Sequence, residues 1–295
     1  MAKYAWLRER VAQRVEGVVL QEAPPADDDL LMLAHSAQWV AAVRDGQLTA
    51  SQQQAIGFPW SPAMVERSRR SVGATVAALR VALADGAAVN LAGGTHHAHA
   101  DEGSGFCVFN DIAVAARSVQ QTEGSVGRRL QILVIDLDVH QGDGTASITQ
   151  DDASIFTFSM QGRENFPFTR QRSDLDVELP SGCGDEEYLR ALDAGLQTVA
   201  SRFQPDAVIY VAGADVHGND RLGKLAISDE GMEARDHTVF GWCLRRGLPV
   251  AMCMAGGYGR DLSAMVDLQV GIVSRLAEYR RQWQLLHVPV HRESP

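Results

Sequence analysis

Cysteine is scarce in this chain: the 295 residues hold only Cys107, Cys183, Cys243 and Cys253, widely spaced and with no C-x-x-C pair. That excludes a disulfide framework and a paired-cysteine metal or redox motif, so the four read as buried thiols in a reducing compartment. Basic residues are also short, 27 against 37 acidic, for a formal charge of −10. A nonspecific nucleic-acid binder depends on neutralising phosphates and is excluded on that balance, whereas a cationic substrate is tolerated. No apolar run reaches the roughly 20 residues a membrane span needs. The stretch Met1 to Arg10 reads as an amphipathic helix rather than a signal peptide, so a cytoplasmic address is expected. Internal repeats and low-complexity tracts are missing, and no shift in composition divides the chain.

What is present is enough apolar residue, 45%, to bury a large core. Short β-branched runs at Ala87 to Leu91, Leu130 to Ile135, Ser154 to Phe158, Ala207 to Val211 and Pro249 to Met254 read as buried strands. Helical patterns lie between them, at Pro62 to Ala84, Asp111 to Gln121, Glu186 to Arg202 and Asp229 to Arg246. The alternation predicts an α/β single domain over residues 1–295, with a mostly parallel central sheet and helices on both faces. Gln21 to Asp29, Asp45 to Trp60 and Gln161 to Ser173 read as surface loops.

In an open parallel sheet ligands bind beyond the carboxyl ends of the strands. The residues found there are Gly93-Gly94-Thr95-His96-His97, Asp136-Leu137-Asp138-Val139-His140-Gln141-Gly142-Asp143-Gly144, Gly213-Ala214-Asp215-Val216-His217 and Gly256-Gly257-Tyr258. Asp138 and His140 alternate with apolar Leu137 and Val139 and so project to one side of an extended chain. Asp215 arrives at the same sheet edge and completes an Asp-His-Asp set, whose fourth coordination position is left open as in a catalytic zinc site. Singly, each is an ordinary strand-end cap or loop histidine. Jointly, two carboxylates at an apolar strand end carry a desolvation cost that an ion offsets. His96 and His97 follow a Gly-Gly turn and have the pKa range for acid/base work near neutrality, with Asp136 and Asp143 as their orienting carboxylates. Tyr258 can present a phenol to an oxyanion, or simply pack on its glycine turn.

Three stretches in this order, GGTHHAHADEGSGFCVFND (Gly93 to Asp111), DLDVHQGDGT (Asp136 to Thr145) and AGADVHGNDRLGKLAIS (Ala212 to Ser228), resemble the histone deacetylase family, the zinc-dependent lysine deacylases of the arginase-deacetylase fold. The resemblance implies Zn2+ on Asp138, His140 and Asp215; His97 as general base and acid with His96 as electrostatic companion; Asp143 paired with His97 and Asp136 with His96; and Tyr258 as oxyanion donor. It also implies a structural K+ held by Asp136, by carbonyls of Asp138, His140 and Met160, and by the Ser159 hydroxyl. Gly105, Phe106, Phe166 and Leu222 would wall the channel for the acyl-lysine stem. The nearest branch is class IV and its bacterial relatives, on Gln141 and the DRLGKLAIS run, although Asp143 replaces that branch's usual asparagine. The family's opening strand is expected to be missing from this chain. The rim aspartate that grips substrate in some members has no counterpart in Phe58 to Val65.

The leading expectation is deacylation of N-ε-acyl-lysine in a protein or peptide. Hydrolysis of a small acylated amine such as an acetylpolyamine is the alternative within hydrolases, and a catalytically weak acyl-lysine-binding module the alternative outside them. A binuclear ureohydrolase is excluded because Gly142 stands where a bridging aspartate is required. No nucleic-acid or membrane partner is expected, and a homo-oligomer is left open.

Overall fold

The computed structural model describes residues 2–123 and 128–287. Ten helices and six strands follow in the order α1 (Ala2–Arg14), α2 (Asp28–Leu31), α3 (Ala37–Arg44), α4 (Ala50–Ile56), α5 (Pro62–Asp85), β1 (Ala87–Asn90), α6 (Asp111–Thr122), β2 (Ile132–Asp136), α7 (Asp143–Thr149), β3 (Ile155–Gly162), β4 (Leu175–Leu179), α8 (Asp185–Arg202), β5 (Ala207–Val211), α9 (Asp229–Leu244), β6 (Val250–Cys253) and α10 (Leu262–His287). The strands form one sheet, order β1-β6-β5-β2-β3-β4, and every pairing is parallel.

Period-two alternation in the strands separates two cores. Leu133 and Ile135 of β2, Phe156 and Phe158 of β3, Val208 and Tyr210 of β5 and Met252 of β6 pack with α1, α8, α9 and α10 on one face. Ile132, Val134, Ile155, Ala207, Ile209, Val211 and Ala251 pack with helices α2 to α6 on the other. Both faces are covered, which is why the central strands read as continuous apolar runs.

The sheet agrees with the sequence expectation and corrects parts of it. Helix α4 runs through the segment expected as a loop over Asp45 to Trp60. Its N-terminus carries a reciprocal capping box in which Thr49 Oγ1 accepts from Gln52 N and Gln52 Oε1 accepts from Thr49 N. The loop expected over Gln161 to Ser173 loses Gln161 and Gly162 to β3, and that over Gln21 to Asp29 loses Asp28 and Asp29 to α2. The N-terminal helix extends to Arg14, beyond the expected Arg10, and Met1 lies outside the described residues. All four cysteines are free and buried, as expected.

Candidate active site

The Gly93-Gly94-Thr95 turn after β1 is shaped by one carboxylate. Asp111, fully buried at the start of α6, accepts from Gly94 N (3.0 Å), Thr95 N (2.7 Å), Thr95 Oγ1 (2.6 Å) and Thr75 Oγ1 (2.5 Å). Both glycines have positive φ, and a Cβ on either would overlap Asp111 or Ala255. Asn110 next to it caps α6 by accepting from Ala113 N at 2.9 Å, while its amide donates to Ala98 O and to Thr145 Oγ1, each at 3.0 Å. The His96-His97 segment is thus clamped between α6 and α7.

The two imidazoles have different environments. His96 Nδ1 lies 2.7 Å from Asp136 Oδ2, and its Nε2 is 3.8 Å from Asp138 Oδ1. His97 Nδ1 lies 2.6 Å from Asp143 Oδ1. Burial opposes protonation of both. At His96 the nearby Asp136 and Asp138 outweigh burial and push its pKa up to about 9. At His97 burial, reinforced by the positive charge on His96, wins over Asp143 and pulls the pKa down to about 4. One ring is therefore cationic and its neighbour neutral near pH 7, a division of the kind that separates an acid from a base.

Asp138, His140 and Asp215 converge from the ends of β2 and β5, each offering a ligand atom within 4.8 Å of the others. Leu137 and Val139, alternating with them, are fully buried in the apolar core, as the pattern predicted. His140 Nδ1 is 2.9 Å from Asp138 Oδ1 and 3.3 Å from Asp215 Oδ2. Burial is outweighed by these two carboxylates, so the His140 pKa rises to about 10. Asp138 is held below the usual carboxylate range because His96 and His140 overcome its burial, while burial and the Asp138 charge raise Asp215. Despite the 3.3 Å approach, Asp215 Oδ2 is buried without a hydrogen-bond partner. Two carboxylates, one imidazole and an unpartnered oxygen demand a positive charge at their centre and fit a divalent cation with N/O preference.

Beside this set, Asp136 and Ser159 are register partners on β2 and β3, and Ser159 Oγ is buried with no partner of its own. Met160 follows on β3, fully buried. The unpartnered hydroxyl fits a second, oxygen-seeking cation.

Around the cluster, a Cβ on Gly105 would come within 2.5 Å of the His97 ring and 3.1 Å of Phe166, so this backbone presses directly on both. Gly105 and Phe106 have φ of 51° and 68°. The Phe166 ring meets His97 edge-on at 4.9 Å between centroids, and Phe106 lies 6.5 Å from Tyr258. Leu222 is held next to Phe166 through a 2.9 Å bond from Asn165 Nδ2 to its carbonyl. Burial raises the Tyr258 phenol above its ordinary pKa, so it remains a hydrogen-bond donor. A cavity of about 2150 Å3 runs along β1, α5 and α10. It borders the site through Gly93, Thr95, Phe106, Leu222 and Tyr258, and neither the three convergent ligands nor His96 and His97 line it. The chemistry belongs to the strand-end cluster, not to the larger space.

Several residues that shape the site escaped sequence reasoning. Asp220 accepts from Leu222 N (2.7 Å), Gly223 N (2.9 Å) and Tyr258 N (2.6 Å), tying a channel wall to the phenol turn. Arg235, fully buried, donates to Gly213 O at 2.6 Å beneath the Asp215 turn. His99 Nε2 lies 3.3 Å from the second oxygen of Asp143. Each lies in a stretch rich in polar residues, which sequence alone does not separate from a solvated surface.

Fold and site together define an α/β protein of deacetylase architecture, with a candidate metal cluster at the strand ends of its parallel sheet. A model of the histone deacetylase domain matches residues 2–270, and the chain belongs to the histone deacetylase family. An uncharacterized protein of Picosynechococcus sp. is 48% identical over 236 residues, 80% of this chain and 77% of that one. Histone deacetylase 2 of Arabidopsis thaliana is 32% identical over 254 residues, 83% of this chain and 65% of its own length. For acetoin utilization protein AcuC of Bacillus subtilis the identity is 31% over 223 residues, 68% of this chain and 56% of its own. The chain thus spans less than two thirds of these two relatives. In fold, the crystal structure of a histone deacetylase homologue from Aquifex aeolicus superposes with a TM-score of 0.80 at 24% identity, over 94% of this chain and 77% of that one.

Proposed function

We propose that the chain is a zinc-dependent deacylase that hydrolyses the amide of N-ε-acyl-lysine in a protein or peptide. The observation carrying this reading is the convergence of Asp138, His140 and Asp215 within 4.8 Å of one another, with His96 Nε2 3.8 Å from Asp138 and the His97 ring 5.8 Å from that of His140.

Bound by Asp138, His140 and Asp215, zinc would act as a Lewis acid, polarising the acyl carbonyl and acidifying the attacking water. His97 takes the water proton on Nε2, since its Nδ1 faces Asp143 and the carboxylate fixes that tautomer. The water oxygen adds to the carbonyl carbon, and the Tyr258 hydroxyl donates to the developing oxyanion. His97 then passes its proton to the lysine nitrogen as the C–N bond breaks, leaving a carboxylate and a free lysine amine. His96, paired with Asp136 at 2.7 Å, faces the same site as the electrostatic companion of His97. Gly105, Phe106, Phe166 and Leu222 form the apolar walls that take the lysine stem and exclude bulk water. K+ would sit at Asp136, Ser159 and the carbonyls of Asp138, His140 and Met160, supported by the unpartnered Ser159 hydroxyl. No described helix is long and apolar enough to cross a membrane, and the four free thiols suit a reducing, cytoplasmic compartment.

A small acylated amine is the second substrate class. The same metal cluster and histidine pair would serve it equally. The test is turnover of one lysine peptide carrying acetyl through longer and hydroxylated acyl groups, beside acetylpolyamines, with His97→Ala as control. Peptide turnover that drops about 100- to 10,000-fold in the control is expected. Exclusive polyamine turnover removes the substrate assignment, and a fully active control removes the mechanism.

A further inference from the structure

The N-terminal helix buries a charge beside the Gly257–Tyr258 turn. Lys3, in the first turn of α1, is only 6% exposed. Its Nζ donates to Gly257 O at 3.0 Å and stands 4.9 Å from the centre of the Tyr258 ring and 5.3 Å from that of Tyr4. Burying an ammonium costs several kcal/mol in effect, and a methionine would fill the same space without that cost. Anchoring α1 does not require it. Arg10 donates to Ser263 O and Oγ, each at 2.8 Å, and Arg10 and Arg14 both pair with Asp267 on α10.

The target of the ammonium is a backbone that needs support. Gly257 has φ +134°, a conformation that L side chains rarely adopt, and it immediately precedes Tyr258. The turn has other tethers: Asp220 accepts from Tyr258 N at 2.6 Å, Arg221 Nε donates to Tyr258 O at 2.9 Å, Gly256 N donates to Asp138 Oδ2 at 2.9 Å, and the Tyr4 side chain hydrogen-bonds that of Tyr258. Lys3 bonds the preceding carbonyl and faces the phenol ring itself.

We propose that Lys3 is a positioning residue for Tyr258, fixing the Gly257–Tyr258 peptide and the phenol ring in one orientation at the site. The proposal rests on Tyr258 being the oxyanion donor. Lys3 touches neither substrate nor reacting atoms in this role; it limits the orientations the phenol samples, and the gain is expressed in the transition state.

The test combines a double-mutant cycle with a readout independent of turnover. In the full-length zinc-loaded protein, kcat and KM on an acetyl-lysine peptide are measured for wild type, Lys3→Met, Lys3→Gln, Tyr258→Phe and the Lys3→Met/Tyr258→Phe double variant. Lys3→Met is expected to lower kcat about 10- to 100-fold with KM within about twofold, and to cost less than about twofold when added to Tyr258→Phe. Lys3→Gln, which keeps a donor for Gly257 O, is expected to fall between, and serves as the test variant if Lys3→Met does not fold. Ring NMR of carbon-13-labelled tyrosine follows Tyr258, assigned by its loss in Tyr258→Phe, and its signals are expected to shift in the Lys3 variant. Additive losses in the cycle overturn the proposal while leaving the deacylase reading intact. If wild type hydrolyses no acyl-lysine, that reading fails, and the NMR result decides alone: unmoved Tyr258 signals overturn the positioning role, displaced ones support it.

Discussion

Burial pulls the pKa of both His35 and His97 down to about 4, and the hydrogen bonds of His35 show which ring form the fold holds. Burial is the main cause at His35. Its Nδ1 lies 2.9 Å from His99 O, which requires a proton on that nitrogen, and its Nε2 accepts from Asn110 N at 2.8 Å, which requires a lone pair. Both bonds are satisfied only by the neutral ring, so protonation would set two N–H groups against each other. The folded pKa of about 4 lies below the unfolded 6.5, so the unfolded chain takes up a proton that the native chain refuses. Stability is therefore complete above 6.5 and lost as pH falls from there toward 4, at about 1.4 kcal/mol per pH unit for one proton. His35→Gln keeps a donor and an acceptor but cannot titrate. Denaturant unfolding of both proteins at pH 7 and pH 5 should show the wild type losing about 2 kcal/mol more than the variant. Equal losses would show that His35 does not resist protonation. The comparison cancels the other titrating groups, His97 and Asp215 included.

At the scale of elements, what was legible in the sequence depended on how uniformly a segment was buried. β2 and β5 are buried at every residue, and their apolar runs announced them. β4 was missed: its alternating Asp176 and Glu178 face away from the core, and Asp176 accepts from Gln141 Nε2 at 2.7 Å instead. An edge strand with charged residues has the composition of a loop. α4 was missed because its Ser-Gln-Gln-Gln run has no apolar stripe, although Thr49 and Gln52 carry the capping-box spacing that marks a helix start. Asp138, His140 and Asp215 were legible because they stand just past apolar strand ends, although the chain bends over 138–140 instead of staying extended, whereas the supports from Asp220, Arg235 and Lys3 depend on chain crossings no local pattern contains. The strand-end glycines were legible as turns but not as packing. Gly256 follows β6; its N–H donates to Asp138 Oδ2 at 2.9 Å, and a Cβ there would overlap Asp215 Oδ2. Gly256→Ala must therefore displace the carboxylates while leaving both cores untouched. Zinc affinity, measured by competition with a fluorescent chelator, should fall about 10- to 100-fold with the circular-dichroism spectrum unchanged. Wild-type affinity in the variant would show that Asp138 and Asp215 do not hold the metal together.

Across the whole molecule, the metal set joins the ends of strands that are separated in the chain: Asp138 and His140 follow β2, Asp215 follows β5, and the Gly256 amide from β6 binds Asp138. A cation there ties the middle of the sheet together on both sides of the switch between the two cores. Removing it leaves a site that must find positive charge elsewhere, and the proton on His140 supplies it, since its pKa is raised to about 10 by the two carboxylates against the opposing effect of burial. Stability gained through that raised pKa is fully present below the unfolded value of 6.5 and disappears as pH climbs through 10. Zinc must displace the same proton, so its binding tightens over the same interval. With free zinc about a thousandfold above Kd, the loaded protein gains about 4 kcal/mol over the chelated one, a difference of roughly 10 °C in Tm for a chain of this size. Thermal unfolding with zinc and with chelator should therefore show a gap that is smallest near pH 6.5 and widens toward pH 9. A gap that is constant or narrows with pH would mean that His140 carries no proton for the metal to displace over this interval.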